Sequence, residues 1–196
     1  MTFDQIRKKL STKTVGVAGC GGLGSNCAAA LARSGVGHLI LADFDIISES
    51  NLNRQFYFFH QVGQRKAPTL KENIALLNPR VMVTVFDEKI TGFNLKRIFQ
   101  SCDVVVEAFD LASEKQMLIE EMISQLPGTK VVAGLGMAGF GNSNTIRCRQ
   151  WEGLYICGDG VTEIGADSPP MAPRVGMVAN MQANVVVALL VGGELV

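Results

Sequence analysis

The feature that most constrains the fold of this chain is a glycine-rich loop near its N-terminus. Residues 19–24 fit the pattern G-x-G-x-x-G. The apolar run Val15–Gly19 predicts a strand before the loop, and Leu23, Cys27 and Leu31 recur at helical spacing after it. A strand that leads through such a loop into a helix is typical of a nucleotide-binding α/β fold. Glycines let a phosphate approach the backbone, and the helix N-terminus supplies N–H donors.

The loop glycines and the acid beyond them define a candidate nucleotide site. The candidate phosphate contacts are Gly19, Gly21, Gly22 and Gly24. Asp43 follows the next predicted strand, His38–Ala42, at roughly the 20-residue separation expected of an acid that binds ribose hydroxyls. The same glycines could instead serve tight packing between helix and strand without a ligand. The motif alone does not distinguish NAD from ATP.

Short apolar runs and helical patterns alternate along the next part of the chain. Strands are predicted over Val81–Phe86, Asp103–Ala108 and Lys130–Gly134, and helices over Ala67–Leu77 and Glu114–Leu126. This alternation predicts an α/β fold with a Rossmann-like, mostly parallel sheet and helices on both of its faces.

The pattern changes after Gly134. Glycines crowd the next few residues, and Asn144–Arg149 predicts a strand in a short antiparallel C-terminal extension. Gly158–Pro170 is rich in Gly, Asp and Pro and predicts a long loop. Pro173–Leu190 predicts an apolar helix. A length of 196 residues predicts one domain, covering 1–196.

The composition of the chain indicates which classes of partner and which cellular compartment to expect. The 18 basic residues balance 18 acidic ones, which argues against nucleic acid as the main partner. The start of the chain, Met1–Lys13, is polar and lacks the apolar core of a secretory signal. Asn180, Gln182 and Asn184 make the apolar stretch near the C-terminus a poor membrane span. Five cysteines without paired spacing fit reduced thiols, so we expect a cytoplasmic protein.

Several motifs, in one order, resemble those of a known family. Residues 43–55 read DFDIISESNLNRQ, which resembles the D-x-D…S-N-L-N-R-Q signature of the ubiquitin-activating-type adenylyltransferases that include ThiF and MoeB. Gln61–Ala67 resembles the family's G-x-x-K-A element, Val104–Asp110 its strand that ends in an aspartate, and Met171–Gly176 its A-P-x-x-G helix start. The resemblance covers residues 10–192, and the compact ThiF subtype is the most similar.

The resemblance implies an enzyme that uses ATP and Mg²⁺. It would adenylylate the C-terminal Gly-Gly carboxylate of a small ubiquitin-like sulfur-carrier protein and release pyrophosphate, with thiamine biosynthesis as the expected pathway. Because the acceptor carboxylate is already ionised at neutral pH, this reaction needs positioning and charge stabilisation rather than a strong base. The family also implies a homodimer, with the predicted helix Pro173–Leu190 as a candidate interface.

The same resemblance assigns roles to individual residues. It implies that Asp43 binds the ribose and that Asp110 binds the metal ion. The residues that it implies for phosphate binding are Asn51, Arg54, Gln55 and Lys66. Asp45 either helps to bind the ribose or caps a turn. Cys157, just before the long loop, is a candidate nucleophile, although a buried structural thiol is the commoner state of cysteine.

The chain also departs from the family pattern. Leu111 and Lys115 stand where relatives usually carry Asn and Arg, so a charge is kept but bidentate geometry is lost. Many relatives bind structural zinc through two C-x-x-C pairs. This chain has no such pair, and Cys148 and Cys157 lack further partners between them, so we expect no zinc.

Three alternatives remain at this stage. A tRNA-modifying member of the same family is disfavoured by the neutral charge. A small NAD-binding oxidoreductase would share the glycine loop but would not need Arg54 and Lys66. A nucleotide-binding scaffold without catalysis would bind ATP and not turn it over.

Overall fold

The computed structural model describes residues 1–193, which form one seven-stranded sheet in the order β3-β2-β1-β4-β5-β7-β6. The strands are β1 (Thr14–Ala18), β2 (His38–Ala42), β3 (Met82–Phe86), β4 (Val104–Glu107), β5 (Lys130–Gly134), β6 (Arg147–Trp151) and β7 (Leu154–Gly158). All neighbouring strands pair in parallel except β6 and β7, which form an antiparallel pair at one edge. The α/β, Rossmann-like sheet and its antiparallel extension, both predicted from the sequence, are confirmed.

Helices cover both faces of the sheet. They are α1 (Phe3–Leu10), α2 (Gly22–Ser34), α3 (Lys66–Leu77), α4 (Leu95–Phe99), α5 (Ala112–Gln125) and α6 (Ala172–Val191). Alternate residues of β2 point to opposite cores: Leu39 and Leu41 pack with α2, α3 and α6, while Ile40 and Ala42 pack with α4 and α5. The buried positions of the central strands are therefore almost all apolar, since both of their faces are covered, and Glu107 at the end of β4 is the exception.

The C-terminal part of the sheet differs from its prediction. The polar stretch before β6 forms a short 3₁₀ turn, Ser143–Thr145, so the strand begins at Arg147 instead of Asn144. The sequence patterns did not identify β7, which follows β6 through a two-residue turn. Gly153 in that turn has φ +72°, a conformation that favours glycine.

Helix α6 accounts for the most apolar segment of the chain. By length and composition it could cross a membrane, yet 56% of its most apolar window is buried inside the protein. It packs along α2, and its Gln182 is fully buried, where the side-chain amide donates to the carbonyls of Glu107 (3.0 Å) and Val132 (3.1 Å). Burial against the sheet thus explains its composition.

Phe99 provides a test of the core between α4, α5 and the sheet. Its side chain is fully buried, and a Cβ atom added at Gly16 would lie 2.6 Å from its ring. We expect Phe99→Ala to lower the free energy of unfolding by about 3–5 kcal/mol through lost burial and the cavity it leaves. Urea unfolding measures this loss. The control Phe93→Ala removes a fully exposed ring and should change stability by no more than about 0.5 kcal/mol. Equal effects of the two substitutions would contradict this packing.

Candidate active site

A cleft of about 670 Å³ opens at the carboxyl ends of the parallel strands. It lies where the chain order of the sheet reverses, between β1 and β4, which is the usual ligand position in such sheets. Nine of the residues singled out in the sequence line it: Gly19, Gly21, Gly22, Asp43, Asp45, Arg54, Gln55, Lys66 and Asp110. Gly24, Asn51 and Cys157 do not line it.

The glycine loop brings the start of α2 against the sheet. A Cβ atom at Gly24 would lie 1.9 Å from the Gly19 carbonyl oxygen, and one at Gly19 would lie 2.9 Å from the Ala108 carbonyl oxygen. Gly24 therefore closes the packing of helix on loop rather than facing the cleft. No side chain caps the first turn of α2. Its free N–H groups and partial positive charge suit an anion.

Asp43 is held against the glycine loop from the end of β2. Its carboxylate accepts hydrogen bonds from the backbone N–H of Cys20 (2.6 Å) and of Asp45 (2.7 Å). Burial raises the pKa of Asp43, while these N–H groups and the nearby charge of Lys66 oppose the rise. The acid is thus fixed in orientation beside the glycine loop that leads into α2.

Lys66, the first residue of α3, pairs with Asp45. Its Nζ lies 2.6 Å from Asp45 Oδ2, and its backbone N–H donates to the Asp45 carbonyl at 2.9 Å. The Lys66 side chain is almost fully buried, whereas that of Asp45 is half exposed. Asp45 is therefore the counter-ion of Lys66 here, a role that sequence reasoning did not propose.

Arg54 and Gln55 approach the glycine loop from the segment before α3. The Arg54 guanidinium donates to the Ser50 carbonyl (3.1 Å) and to Asn53 Oδ1 (2.7 Å). Gln55 is buried, and its Oε1 has no hydrogen-bond partner. A buried acceptor without a partner costs free energy, which a ligand group that donates to it would recover.

Asn51 shapes this segment without entering the cleft. Its Oδ1 accepts from the Ser48 N–H at 3.1 Å, which caps the 3₁₀ turn Glu49–Asn51. Its carbonyl accepts from the N–H groups of Arg54 (3.1 Å) and Gln55 (2.9 Å). Asn51 thus orients the neighbours that the sequence grouped with it.

Asp110 faces the cleft from the other side, past the end of β4. Its side chain is exposed.

Glu107 and Lys115 form an ion pair close to Asp110. Glu107 is fully buried on β4, and Lys115 lies on α5. The sequence analysis did not identify them as a pair. Burial raises the pKa of Glu107, and Lys115 opposes this rise. The signal in the sequence was an acid within an otherwise apolar strand.

Cys157 lies outside the cleft. It is fully buried in β7, directly opposite Cys148 on β6. Burial raises its pKa, and the thiolate is the reactive form of cysteine. This environment is that of a structural thiol, the alternative that the sequence left open, and it contradicts the hypothesis that Cys157 is a nucleophile of the site.

The long loop after β7 closes the far side of the cleft. Asp159 accepts from the N–H groups of Val161 (2.8 Å) and Thr162 (2.9 Å) and pairs with Arg174 of α6 at 2.6 Å. Arg174 also donates to the Gly141 carbonyl. This buried network anchors the loop, of which Thr162, Glu163, Ile164 and Pro170 line the cleft. The sequence did not identify Asp159 or Arg174.

Within residues 1–193 no group of three or more His, Cys, Asp or Glu side chains could hold a metal ion. The expected absence of zinc stays a prediction. Asp110 nevertheless suits Mg²⁺, because that ion is commonly bound by one or two carboxylates together with water and substrate phosphates.

Comparison with known proteins extends these observations. The model of the ThiF family matches residues 2–195. The chain is 28% identical to the adenylyltransferase and sulfurtransferase UBA4 of Eremothecium gossypii over 94% of its length, but it covers only 39% of that protein. It is 29% identical to the sulfur carrier protein ThiS adenylyltransferase of Escherichia coli, over 96% of this chain and 76% of that protein.

Two further similar proteins are named as tRNA threonylcarbamoyladenosine dehydratases. The tRNA threonylcarbamoyladenosine dehydratase of Bacillus subtilis is 37% identical over 59% of this chain and 46% of that protein. The crystal structure of the Escherichia coli tRNA N6-threonylcarbamoyladenosine dehydratase in complex with AMP superposes with a TM-score of 0.87, at 21% identity, over 96% of this chain and 90% of that one. At this identity the superposition establishes the fold alone.

The Asp159–Arg174 pair predicts a pH-dependent contribution to stability. Burial alone would raise the pKa of Asp159, but the Thr162 and Val161 N–H groups, the Thr162 hydroxyl and Arg174 lower it to about 2. This contribution is therefore complete above the ordinary aspartate pKa of about 3.9 and is lost as pH falls through about 2. We expect Asp159→Asn to cost about 3 kcal/mol at pH 7, since Arg174 is left buried without a counter-ion.

Urea unfolding between pH 7 and pH 3 tests this expectation. The difference in stability between the wild type and Asp159→Asn should stay constant down to about pH 4 and then narrow. Asp167→Asn, which changes an exposed acid of the same loop, serves as the control and should alter stability by less than about 0.5 kcal/mol. A difference that grew as the pH fell would contradict this account.

Proposed function

Because this chain belongs to the ThiF family, we propose that it is an ATP-dependent adenylyltransferase that activates the C-terminal carboxylate of a small ubiquitin-like sulfur-carrier protein. The observation that carries the proposal is the composition of the cleft. Asp43, Arg54, Lys66 and Asp110 come from four separate segments and converge around the uncapped start of α2. The relatives named as adenylyltransferases support the same activity.

The cleft suits ATP in one orientation. The fixed carboxylate of Asp43 would accept hydrogen bonds from the ribose hydroxyls. The phosphates would then lie along the N-terminus of α2, where Arg54 and Lys66 supply positive charge and the side-chain amide N–H groups of Gln55 could donate. Phosphate binding requires Lys66 to leave or share its pairing with Asp45. Asp45 thereby keeps the lysine buried and oriented before the nucleotide arrives.

The reaction would proceed by direct displacement. An oxygen of the acceptor carboxylate attacks the α-phosphorus, the bond from that phosphorus to the bridging oxygen breaks, and pyrophosphate leaves with the electron pair. Asp110 would hold Mg²⁺ together with phosphate oxygens, and that ion would neutralise charge that develops on the phosphates. Arg54 would stabilise the departing pyrophosphate. Such preorganised charge is the main contribution that a protein makes to chemistry of this kind.

The acceptor would enter from the side of β5. There the cleft is lined by Gly134–Met137 and by the loop residues Thr162–Ile164. Gly136 has φ +81°, and a Cβ atom at this position would lie 2.0 Å from Asp159 Oδ1, so the wall can carry no side chain there. An extended tail that ends in Gly-Gly has no side chains of its own there and would fit beside the glycine positions of this wall, Gly134 and Gly136.

We extend the proposal to the carrier, the oligomeric state and the location of the protein. ThiS as the carrier is suggested by the name of one relative, and thiamine biosynthesis as the pathway is what the resemblance to ThiF implies. A homodimer through α6 would cover Met177, which is partly exposed on that helix. A cytoplasmic location agrees with five cysteines that are all free thiols.

A tRNA-modifying activity is the second candidate. It is favoured by the 37% identity to the Bacillus subtilis dehydratase over 59% of this chain. The equal numbers of basic and acidic residues, 18 each, disfavour it, because phosphate backbones are held by excess positive charge. A tRNA-binding assay at physiological salt distinguishes the two functions: tight binding that weakens steeply with added salt would favour the second.

ATP–pyrophosphate exchange in the presence of Mg²⁺ and candidate Gly-Gly carriers tests the main proposal. We expect exchange to require a carrier and to fall on the order of 100-fold in Arg54→Ala and in Asp110→Ala, because each removes charge stabilisation from the transition state. Arg80→Ala removes an exposed arginine at the opposite end of the strands and should leave exchange unchanged. ATP binding without exchange would favour the scaffold, and equal affinity for NAD and ATP would favour the oxidoreductase.

A further inference from the structure

The buried pair of Glu107 and Lys115 has no part in the chemistry proposed above. Glu107 is completely buried at the end of β4, and the Lys115 side chain is largely buried beside it, at the edge of the cleft. Burying two charges is costly unless each is also satisfied by further hydrogen bonds. The contacts of this pair therefore indicate what it holds in place.

Lys115 has a partner for each of its three N–H donors. Its Nζ donates to Glu107 Oε2, to the Gly134 carbonyl at 2.9 Å and, more weakly, to the Phe109 carbonyl at 3.5 Å. Contact with a phosphate would require it to release Glu107, which would leave a buried carboxylate without a counter-ion. Lys115 is therefore placed to bind groups of the protein itself and not the phosphates of a nucleotide.

Glu107 binds the same residue, Phe109, through its backbone N–H. Its Oε1 accepts from the Phe109 N–H at 2.8 Å. The ion pair thus engages both backbone groups of Phe109, the residue directly before Asp110. Through Gly134 it also ties the end of β4 to the end of β5, and the Glu107 carbonyl is bound in turn by Gln182 of α6 at 3.0 Å.

We propose that Glu107 and Lys115 are positioning residues that fix the backbone at Phe109 and so hold the Asp110 carboxylate in the orientation that Mg²⁺-bound ATP requires. The inference rests on the proposed function, because it assigns the pair a purpose at that same site. Groups that orient a metal ligand without touching the metal commonly change metal affinity or activity by 10–100-fold when they are removed. We expect an effect of this order here.

The test uses a double variant that keeps the protein folded. Lys115→Met alone would leave Glu107 buried and unpaired, whereas Glu107→Met combined with Lys115→Met replaces the pair with apolar side chains of similar size, which is often neutral for stability. Thermal unfolding verifies the fold. The first readout is hydrogen exchange of the Phe109 amide by NMR, which needs no ligand and should become faster in the double variant.

The second readout is the affinity for the α,β-methylene analogue of ATP, with and without Mg²⁺. In the double variant the gain in affinity from Mg²⁺ should fall by about 10–100-fold, to the gain measured for Asp110→Ala. The triple variant, which adds Asp110→Ala to the double variant, should show the same gain as Asp110→Ala alone, because the pair acts through Asp110. Lys115→Arg, which keeps the charge, should retain part of the gain. Lys13→Met breaks the Lys13–Asp103 pair at the opposite end of β4 and should retain all of it.

Two results would overturn the inference. One is a folded double variant with the wild-type gain from Mg²⁺ or with unchanged exchange of the Phe109 amide. The other is an additional loss when the double variant is combined with Asp110→Ala, which would indicate a role independent of that carboxylate. A wild-type protein that bound no ATP analogue would instead refute the proposed function, while the amide exchange would still report on the pair.

Discussion

The close approach of helix α2 to the sheet is the constraint on which the rest of the site depends. Gly24 lies so near the Gly19 carbonyl, and Gly19 so near the Ala108 carbonyl, that neither position admits a side chain. This contact joins β1, β4 and α2 at the point where the strand order reverses. The N-terminus of α2 is thereby directed into the cleft without a cap, and every charged side chain around it is placed relative to that one fixed element.

The basic side chains that line the cleft have partners within the protein. Lys66 pairs with Asp45, Lys115 with Glu107, and Arg54 donates to Asn53. These partners differ in burial: Asp45 is half exposed and can return to water, whereas Glu107 is enclosed by protein. A phosphate can therefore draw Lys66 from its partner far more readily than Lys115. The same type of ion pair is exchangeable on one side of the cleft and fixed on the other, and the difference is set by solvent access.

Local patterns in the sequence predicted the central sheet and the part of the site formed by the glycine loop and Asp43. The strand, glycine loop and helix around residue 20 and the acid at Asp43 are consecutive in the chain, so spacing alone locates them. The resemblance to the ThiF family supplied Arg54, Lys66 and Asp110, which come from other segments. No local pattern in the sequence predicts ion pairs between residues that are distant along the chain. Asp159 and Arg174 come together only when the sheet has formed. The same holds for Glu107 and Lys115. Cys157 shows the converse, since its position before a loop made it a candidate nucleophile while its place in β7 buries it.

The long loop after β7 is anchored where it leaves the sheet and where it rejoins the protein. Asp159 and Arg174 bind each other, and Gly139 bridges to Pro170, so the ends of the loop are fixed whatever lies between them. Lengthening such a closed loop costs little conformational entropy, about 0.6 kcal/mol for each doubling. Evolution can therefore insert or delete residues around Gly165 without disturbing the anchors. The loop is the part of this scaffold where new acceptor preferences can arise at the lowest cost to stability.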